Sequence, residues 1–308
     1  MNAALRSVVR SANFHSIECV GFYRGYQGLI ENSYKPLQMR SVSNILEIGG
    51  TFLRTARSLD FHNPKVREKA YKNLKLHNID ALVVIGGNGS ITGANIFAKQ
   101  FDFPCVGIPA SIDNDIYGTD YSIGFQTALQ TIVESVDKIR DTARSHNRLF
   151  FVEVMGRDNG NLALYSAIAT GACFVIIPEK EFEINNLAER LKAGKNMSKT
   201  SSVVIVAEGN NYGPSYKIAE DLTEVFDEYE SKVTILGHLQ RGGSPVVMDR
   251  LIASRLGLCA VQALISENYS NMVGIIQNEN VLIPMQDVVD KQKKINEELY
   301  KLNKIISR

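Results

Sequence analysis

The stretch DALVVIGGNGS, residues 80–90, decides the fold. Its first half is a continuous run of apolar, largely β-branched residues, which is typical of a strand buried on both faces of a parallel sheet. A glycine-rich turn follows, and a stretch with helical periodicity then spans 92–100. A strand, a glycine turn and a helix in that order predict one unit of an α/β fold.

The same alternation continues on both sides of this stretch. Apolar runs that end in glycine or polar turns occur at 19–25, 103–115, 148–157, 173–179, 201–209 and 233–243. Helical periodicity occupies 64–78, 124–144, 184–194, 215–230 and 247–267, and the tail from Asp287 predicts a solvated terminal helix. The pattern predicts a mostly parallel sheet, in which ligands bind beyond the carboxyl ends of the strands.

The composition argues against several classes of protein. Among 308 residues, 34 basic and 33 acidic side chains nearly cancel, so no bulk charge favours nucleic acid or an anionic membrane surface. The 4 cysteines form no C-x-x-C pair, which argues against a zinc site or a disulfide framework. No apolar run of about 18 residues occurs, so neither secretion nor membrane spanning is expected. We therefore expect a cytoplasmic protein.

The turn Gly86-Gly87-Asn88-Gly89-Ser90 is the first candidate for a phosphate site. Glycines let backbone N–H groups approach an oxyanion, and the positive end of the next helix dipole would add to the attraction. Taken alone, the same residues are explained equally well by a tight turn between a strand and a helix.

A second loop, Ser111-Ile112-Asp113-Asn114-Asp115, places two carboxylates close together after a strand. One of them could accept a hydroxyl proton while the other orients a cation or a neighbouring base. An ordinary Asx turn is the competing interpretation, because Asp and Asn are common turn residues.

Further loops carry cations and one more acid: Arg57, Arg148, Arg157, Glu208, His238 and Arg241. Arginine forks match phosphate oxygens, so arginines at strand ends indicate a phosphorylated ligand. Each arginine taken singly could be an ordinary surface residue, and a structural salt bridge would explain Glu208 about as well as a bound sugar hydroxyl.

In this order, the segments GGTFLRTAR, VVIGGNGS, SIDNDIYGTDYSIGFQTA, EVMGR, AEG and GHLQRGGSPVVMDR resemble the bacterial ATP-dependent 6-phosphofructokinase family, over residues 1 to about 280. The resemblance implies two Rossmann-like α/β/α layers with mostly parallel sheets, the phosphofructokinase fold lacking its first strand. It also implies an ATP-binding domain at 1–124 and about 240–290, and a fructose-6-phosphate-binding domain at 125–239 and about 291–308.

The activity implied by the resemblance is transfer of the γ-phosphoryl group of ATP to the 1-hydroxyl of fructose 6-phosphate, with Mg²⁺, in a homotetramer. Asp113 would be the catalytic base, Asp115 would assist at the metal and phosphoryl end, and Arg157 and Ser111 would stabilise the phosphoryl group. This fits phosphoryl transfer, which depends mainly on alignment and charge stabilisation.

The resemblance also implies binding residues. Met155, Glu208, His238 and Arg241 would hold the sugar phosphate, while Arg148 and Lys232 would reach in from a neighbouring subunit. The nucleotide would contact Tyr26, Arg57, Ser58, Gly87, Asn88, Gly89, Ser90 and Gly93. Gly89 and Ala110 favour ATP as the donor, since family members that use pyrophosphate carry an acid and a lysine at these positions.

The chain departs from the family pattern at three places in the active site. The family's first strand and its glycine-rich turn precede the segment that matches the amino terminus of this chain, which predicts an unpaired sheet edge and one phosphate loop fewer. Asn88 replaces an aspartate that helps to hold magnesium, so metal affinity should fall. Lys232 replaces an arginine and loses its bidentate fork.

The effector pocket of the family is only partly matched. Arg6, Arg10, Arg140 and Lys199 match its phosphate-binding positions. Met39, Met197 and Cys173 replace two basic residues and a metal-binding acid, so control by ADP or phosphoenolpyruvate is doubtful.

Two other hypotheses follow from the same departures. Asn88 and the absent loop suggest a catalytically weak paralogue that binds sugar phosphate and assembles with an active subunit. A pyrophosphate-dependent enzyme is the third hypothesis, and Gly89 and Ala110 argue against it.

Overall fold

The computed structural model describes residues 1–143, 148–196 and 201–307. In chain order the regular elements are α1 Asn2–Phe14, β1 Cys19–Phe22, α2 Tyr26–Glu31, β2 Tyr34–Leu37, α3 Pro64–Leu76, β3 Leu82–Gly86, α4 Asn88–Phe101, β4 Cys105–Ser111, β5 Ile123–Gly124, α5 Phe125–Ala143, β6 Arg148–Val154, α6 Asn161–Thr170, β7 Phe174–Ile176, α7 Ile184–Asn196, β8 Ser201–Ala207, α8 Ser215–Val225, β9 Glu230–Ile235, α9 Val247–Ile265, β10 Asn271–Ile276, β11 Glu279–Pro284, α10 Met285–Asp290 and α11 Glu297–Ile306. Short 3-10 helices cover Met39–Val42, Leu59–His62 and Gly237–Arg241.

These elements form two compact units. Unit 1 comprises 1–111, 116–124 and 243–293, and unit 2 comprises 112–115, 125–242 and 294–308. The sequence prediction put all of 1–124 in one domain, whereas 112–115 belongs to unit 2. The ligand assigned to each domain stays a prediction.

The main sheet of unit 1 has the strand order β11-β10-β4-β3, with β5 paired to β4. Strands β3 and β4 run parallel, and β10 and β11 form an antiparallel hairpin at the far edge. Alternate residues of β3 pack on opposite faces: Leu82 and Val84 against one apolar cluster, Val83 and Ile85 against the other. The continuous apolar run of the sequence is therefore explained by apolar packing on both faces of the strand.

Unit 2 contains a wholly parallel sheet in the order β7-β8-β6-β9. Its central strands β6 and β8 supply fully buried residues such as Phe151 and Val204 to the core. Since the strands run parallel, their carboxyl ends lie along one edge, and the loops that follow β6, β8 and β9 leave the sheet on the same side.

The α/β fold class predicted from the sequence is confirmed, and three details differ. The run at 19–25 forms β1, which pairs antiparallel with β2 in a separate two-stranded sheet. The first four residues of β3 are only half-buried, because the strand lies at the edge of the unit 1 sheet, and an unpaired sheet edge was expected from the sequence. The tail is not one helix: α10 ends at Asp290, and the Asn296 side chain caps a new helix by accepting from the Leu299 N–H.

None of the helices in the described ranges is both long enough and apolar enough to cross a membrane.

Candidate active site

Asp113 lies in a short loop, residues 112–115, that belongs to unit 2. The residue is 6% exposed, and Asp115 beside it is half-buried. Asn114 between them has a φ of 53°, a left-handed conformation that asparagine tolerates better than most residues. The Asn161 side chain at the start of α6 donates a hydrogen bond of 3.0 Å to the Asn114 carbonyl. The loop is therefore a fixed support for the buried Asp113 carboxylate.

The turn after β6 presents Arg157 in a constrained backbone conformation. Gly156 has a φ of 142° and Arg157 a φ of 52°. The Glu208 carboxylate accepts from both N–H groups through Oε1, at 3.3 Å from Gly156 and 2.9 Å from Arg157. A Cβ on Gly209 would lie 1.7 Å from the Arg157 carbonyl oxygen, so only glycine permits this close approach. The AEG and EVMGR segments are thus joined by hydrogen bonds and by close packing of their backbones.

Arg157 and Asp113 meet on the same side of unit 2. The Arg157 Nε lies 3.7 Å from Asp113 Oδ2. The pKa of Asp113 is raised to about 6; burial is the largest cause, the like charges of Asp115 and Glu208 also raise it, and Arg157 and Arg241 lower it. A carboxyl group that titrates near neutral pH is suited to general base catalysis.

The turn after β9 is tied to the turn after β6 by Gln240, which the sequence prediction missed. Gln240 is 1% exposed; its Oε1 accepts from the Met155 N–H at 3.0 Å, and its Nε2 donates to the Gly237 carbonyl at 3.0 Å. Its neighbours His238 and Arg241 in the 3-10 helix are exposed. No sequence signal separates the buried glutamine from the exposed residues around it, because a 3-10 turn is too short to show a period.

In unit 1, the glycine-rich turn leads directly into α4. The helix begins at Asn88 rather than at 92, with Gly87 as its N-cap at φ −82° and no side chain capping the helix. The described glycines of positive φ do not include Gly86, Gly87 or Gly89, so the chain passes from β3 into α4 without a left-handed residue. Gly86 is required for packing, because a Cβ there would lie 2.4 Å from Ser90 Oγ.

Tyr26 supports this helix terminus. Its hydroxyl donates a 2.5 Å hydrogen bond to the Ser90 carbonyl, and its ring stacks on Phe61 at 4.0 Å. A Cβ on Gly93 would lie 2.8 Å from the Tyr26 ring. The structure therefore brings Tyr26, Ser90 and Gly93 together, and their contacts with one another stabilise the start of α4.

The other nucleotide-binding candidates lie around the same helix. The Ser58 hydroxyl donates to the side chain of Gln27, the residue after Tyr26, at 3.0 Å. Arg57 is exposed. Gly87 faces the Ala110 carbonyl, 3.7 Å from the position of a Cβ, whereas a Cβ on Gly89 would meet no atom within 4 Å. Ser111 ends β4, and its carbonyl accepts from the Ser122 hydroxyl at 2.6 Å.

Asn88 sits in the first turn of α4, where the helix dipole presents its positive end. A neutral amide at such a terminus is a weak ligand for a hard cation. Within the described ranges, no group of three or more His, Cys, Asp or Glu residues is placed to hold a metal ion. The residues at this helix terminus therefore fit a Mg²⁺ ion that is bound mainly by the phosphates of a nucleotide and has few protein ligands.

Arg148 and Lys232 lie at the opposite end of the unit 2 sheet from Asp113 and Arg157. Arg148 is the first residue of β6, and the seven-residue strand separates it from the Met155 turn by roughly 20 Å. Both cations contact Glu230, which the sequence prediction missed: Arg148 Nε lies 2.8 Å from Oε2, and Lys232 Nζ lies 2.5 Å from Oε1.

The effector candidates belong to both units. Arg6 and Arg10 lie on α1 in unit 1, half-buried and exposed respectively. Arg140 in unit 2 donates to the Gly171 carbonyl at 2.9 Å, at the carboxyl end of α6. Cys173 is buried and Met39 is exposed, while Lys199 and Met197 lie outside the described residues.

The fold and these loops define an α/β protein with a helix amino terminus suited to phosphate in unit 1 and a buried carboxylate beside arginines in unit 2. The family model described as phosphofructokinase matches residues 1–264. An ATP-dependent 6-phosphofructokinase 2 of Bacteroides thetaiotaomicron is 50% identical over 307 residues, which cover 100% of this chain and 94% of the relative. An ATP-dependent 6-phosphofructokinase of Cytophaga hutchinsonii is 47% identical and covers 98% and 92%.

Solved structures agree. Phosphofructokinase from Saccharomyces cerevisiae superposes with a TM-score of 0.88 at 36% identity, over 99% of this chain, which spans only 45% of the yeast chain. A pyrophosphate-dependent phosphofructokinase from Marinobacter aquaeolei has a TM-score of 0.83 at 20% identity, which shows the fold alone. This chain belongs to the phosphofructokinase family.

Proposed function

We propose that this protein transfers the γ-phosphoryl group of ATP to the 1-hydroxyl of fructose 6-phosphate, giving fructose 1,6-bisphosphate in glycolysis. The observation that carries the proposal is Asp113, a buried carboxyl group with a pKa of about 6 beside Arg157. As the base, Asp113 takes the proton of the attacking hydroxyl. The bacterial relatives, at 47–50% identity over nearly their whole length, carry the name of this activity.

The acceptor sugar binds at the carboxyl ends of β6, β8 and β9 in this proposal. Arg157 stabilises charge on the phosphoryl group, and Asp115 raises the pKa of Asp113 by like charge. Met155, His238 and Arg241 bind the sugar phosphate from turns that Gln240 joins. Glu208 contributes to this site mainly through the backbone of Arg157, because one of its oxygens already accepts two N–H groups.

The nucleotide binds at the amino terminus of α4, where the helix dipole attracts phosphate. Gly87, Gly89 and Ser90 form this terminus, Tyr26 and Gly93 support it, and Arg57, Ser58 and Ser111 complete the donor and phosphoryl sites. Mg²⁺ bound on the nucleotide would neutralise phosphate charge beside Asn88. The open space at Gly89 admits a phosphate group, which supports ATP as the donor.

Arg148 and Lys232 serve a second copy of the chain in this proposal. The length of β6 places the Arg148 backbone roughly 20 Å from the Met155 turn, which supports contact with a sugar that another copy of the chain binds. This supports a sugar site shared between subunits, and the resemblance to the family extends the proposal to a homotetramer. The free cysteines and balanced charge support a cytoplasmic location.

The deciding experiment supplies the purified protein with ATP, Mg²⁺ and fructose 6-phosphate and measures ADP and fructose 1,6-bisphosphate, with Asp113→Asn as the matched inactive variant. Product from the wild type alone supports the proposal. Product only with pyrophosphate as the donor would replace it with the pyrophosphate-dependent alternative. Binding of fructose 6-phosphate without turnover would favour the weak paralogue that Asn88 suggests.

A further inference from the structure

A single carboxylate holds the two cations at the amino-terminal edge of the unit 2 sheet. Strands β6 and β9 are parallel neighbours, and their register places Arg148 opposite Glu230. Lys232 follows two residues later on the same strand, so its side chain lies on the same face as Glu230. Each Glu230 oxygen contacts one cation, at 2.8 Å from Arg148 and 2.5 Å from Lys232.

The two cations that contact the Glu230 carboxylate are also suited to a phosphate group. Arginine and lysine converge on a compact anion from two sides, as they do around phosphoryl oxygens. The cluster lies at the surface: the side chains are 29% exposed for Arg148, 46% for Lys232 and 53% for Glu230. A phosphate group from solvent can therefore reach the cations, and Glu230 can rotate away without leaving a buried charge unpaired.

The charge on Glu230 is permanent at neutral pH. Hydrogen bonds from Lys232 and from Arg148 lower its pKa to about 2. Protonation will therefore not release the cations under ordinary conditions, whereas a competing anion can displace Glu230 from them. A phosphate monoester carries more negative charge than a carboxylate and offers three acceptor oxygens, so it can displace Glu230 from both cations.

We propose that Glu230 is an internal competitor for the phosphate group of the sugar substrate at Arg148 and Lys232, and that it sets the affinity of this site. The inference rests on the proposed function for the identity of the phosphate ester, while the competition itself concerns any phosphate. Glu230 acts by occupying the cations and by repelling an incoming anion, and both effects weaken phosphate binding.

The test compares Glu230→Gln with Asp227→Asn, which removes the same charge from an exposed acid nearby that makes no ion pair among the described residues. Inorganic phosphate is titrated with ³¹P NMR detection. We expect Glu230→Gln to tighten phosphate binding by about two- to tenfold, the range for loss of exposed ion-pair competition. Asp227→Asn should leave it unchanged, and adding Arg148→Gln to Glu230→Gln should abolish the gain.

Weaker or unchanged phosphate binding in a folded Glu230→Gln protein would overturn the proposal, since it would mean that Glu230 holds the cations in a binding geometry. Glu230→Asp, whose shorter side chain cannot reach both cations equally, should lie between wild type and Glu230→Gln and provides a second variant. The half-saturating concentration of fructose 6-phosphate should fall in parallel. If no kinase activity is found but phosphate binding still tightens, the proposed function alone fails. If the kinase is active and phosphate binding does not tighten, the competition alone fails.

Discussion

The Glu208 carboxylate accepts the backbone N–H of Arg157 at 2.9 Å, and it thereby fixes a residue whose φ of 52° lies in the left-handed region. Arg157 in turn places its guanidinium 3.7 Å from Asp113. Glu208 and Arg157, about fifty residues apart in the chain, therefore position the arginine side chain together. Glu208 sets the backbone from which Arg157 reaches the proposed phosphoryl group.

Removing this acceptor should lower turnover more than sugar binding. In Glu208→Ala, both N–H groups lose their acceptor, and we expect kcat to fall about 10- to 100-fold because Arg157 is misplaced. Glu208→Gln keeps an acceptor oxygen and should fall much less. Steady-state kinetics on both variants test this expectation. Equal losses of kcat would show that Glu208 contributes its charge and not support of the backbone.

The pH dependence should report Asp113. Since its pKa is about 6, kcat/KM for fructose 6-phosphate should decline as the pH falls below that value. Glu208 raises this pKa by like charge, so Glu208→Gln should move the acid limb to lower pH. A pH-rate profile from pH 5 to 8 measures both; an acid limb that does not move in the variant would contradict the assignment.

Asp113 should also carry a stability cost. The unfolded carboxyl group ionises near 3.8 and the folded one near 6, so ionisation favours the unfolded chain and stability is lost as the pH rises between these values. Asp113→Asn should remove this penalty, at most about 3 kcal/mol at neutral pH, while lowering kcat by roughly 10² to 10⁴. Thermal unfolding at pH 4 and pH 8 tests the sign: the gain over wild type should be larger at pH 8.

The terminus of α4 should respond to the charge at residue 88. Asn88→Asp adds a carboxylate to the first turn of an uncapped helix, which should stabilise unit 1 by about 0.3–1 kcal/mol through the helix dipole. The same carboxylate should reduce the Mg²⁺ concentration needed for half-maximal turnover. Asn88→Ala, which adds no charge, serves as the control, and a rise in stability in both variants would remove the electrostatic explanation.

Gly93 should be intolerant of a side chain, whereas Gly89 should not. In Gly93→Ala the Cβ would lie 2.8 Å from the Tyr26 ring, so Tyr26 must move and lose its bond to the Ser90 carbonyl. We expect a lower melting temperature and a KM for ATP raised more than the KM for fructose 6-phosphate. Gly89→Ala meets no atom within 4 Å and should not lower the melting temperature; a loss as large as that of Gly93→Ala would refute the steric account.

The apolar run at 80–90 was sufficient to predict a strand with apolar packing on both faces and the α/β class, because such packing requires a continuous run of apolar residues. The half-burial of β3 follows from its place at the sheet edge. Helix boundaries were less predictable. The sequence suggested that α4 starts at 92, whereas the helix begins at Asn88. Asparagine and glycine have low helix propensity, and tertiary packing stabilises the helix there in spite of it. The antiparallel pairing of β1 with β2 was missed because β2 has only four residues and contains Pro36, which does not fit a strand pattern.

The sequence by itself determined which residues could carry chemistry: the carboxylates of the 111–115 loop, the arginines after the strands and the glycines before α4. Only the tertiary structure decided what each is bonded to. Gln240 emerged as a buried link and Glu230 as the partner of two cations, while Glu208 proved to support a backbone turn. The physical reason is that hydrogen bonds and ion pairs depend on distances of about 3 Å between segments far apart in the chain, which residue type and spacing do not encode.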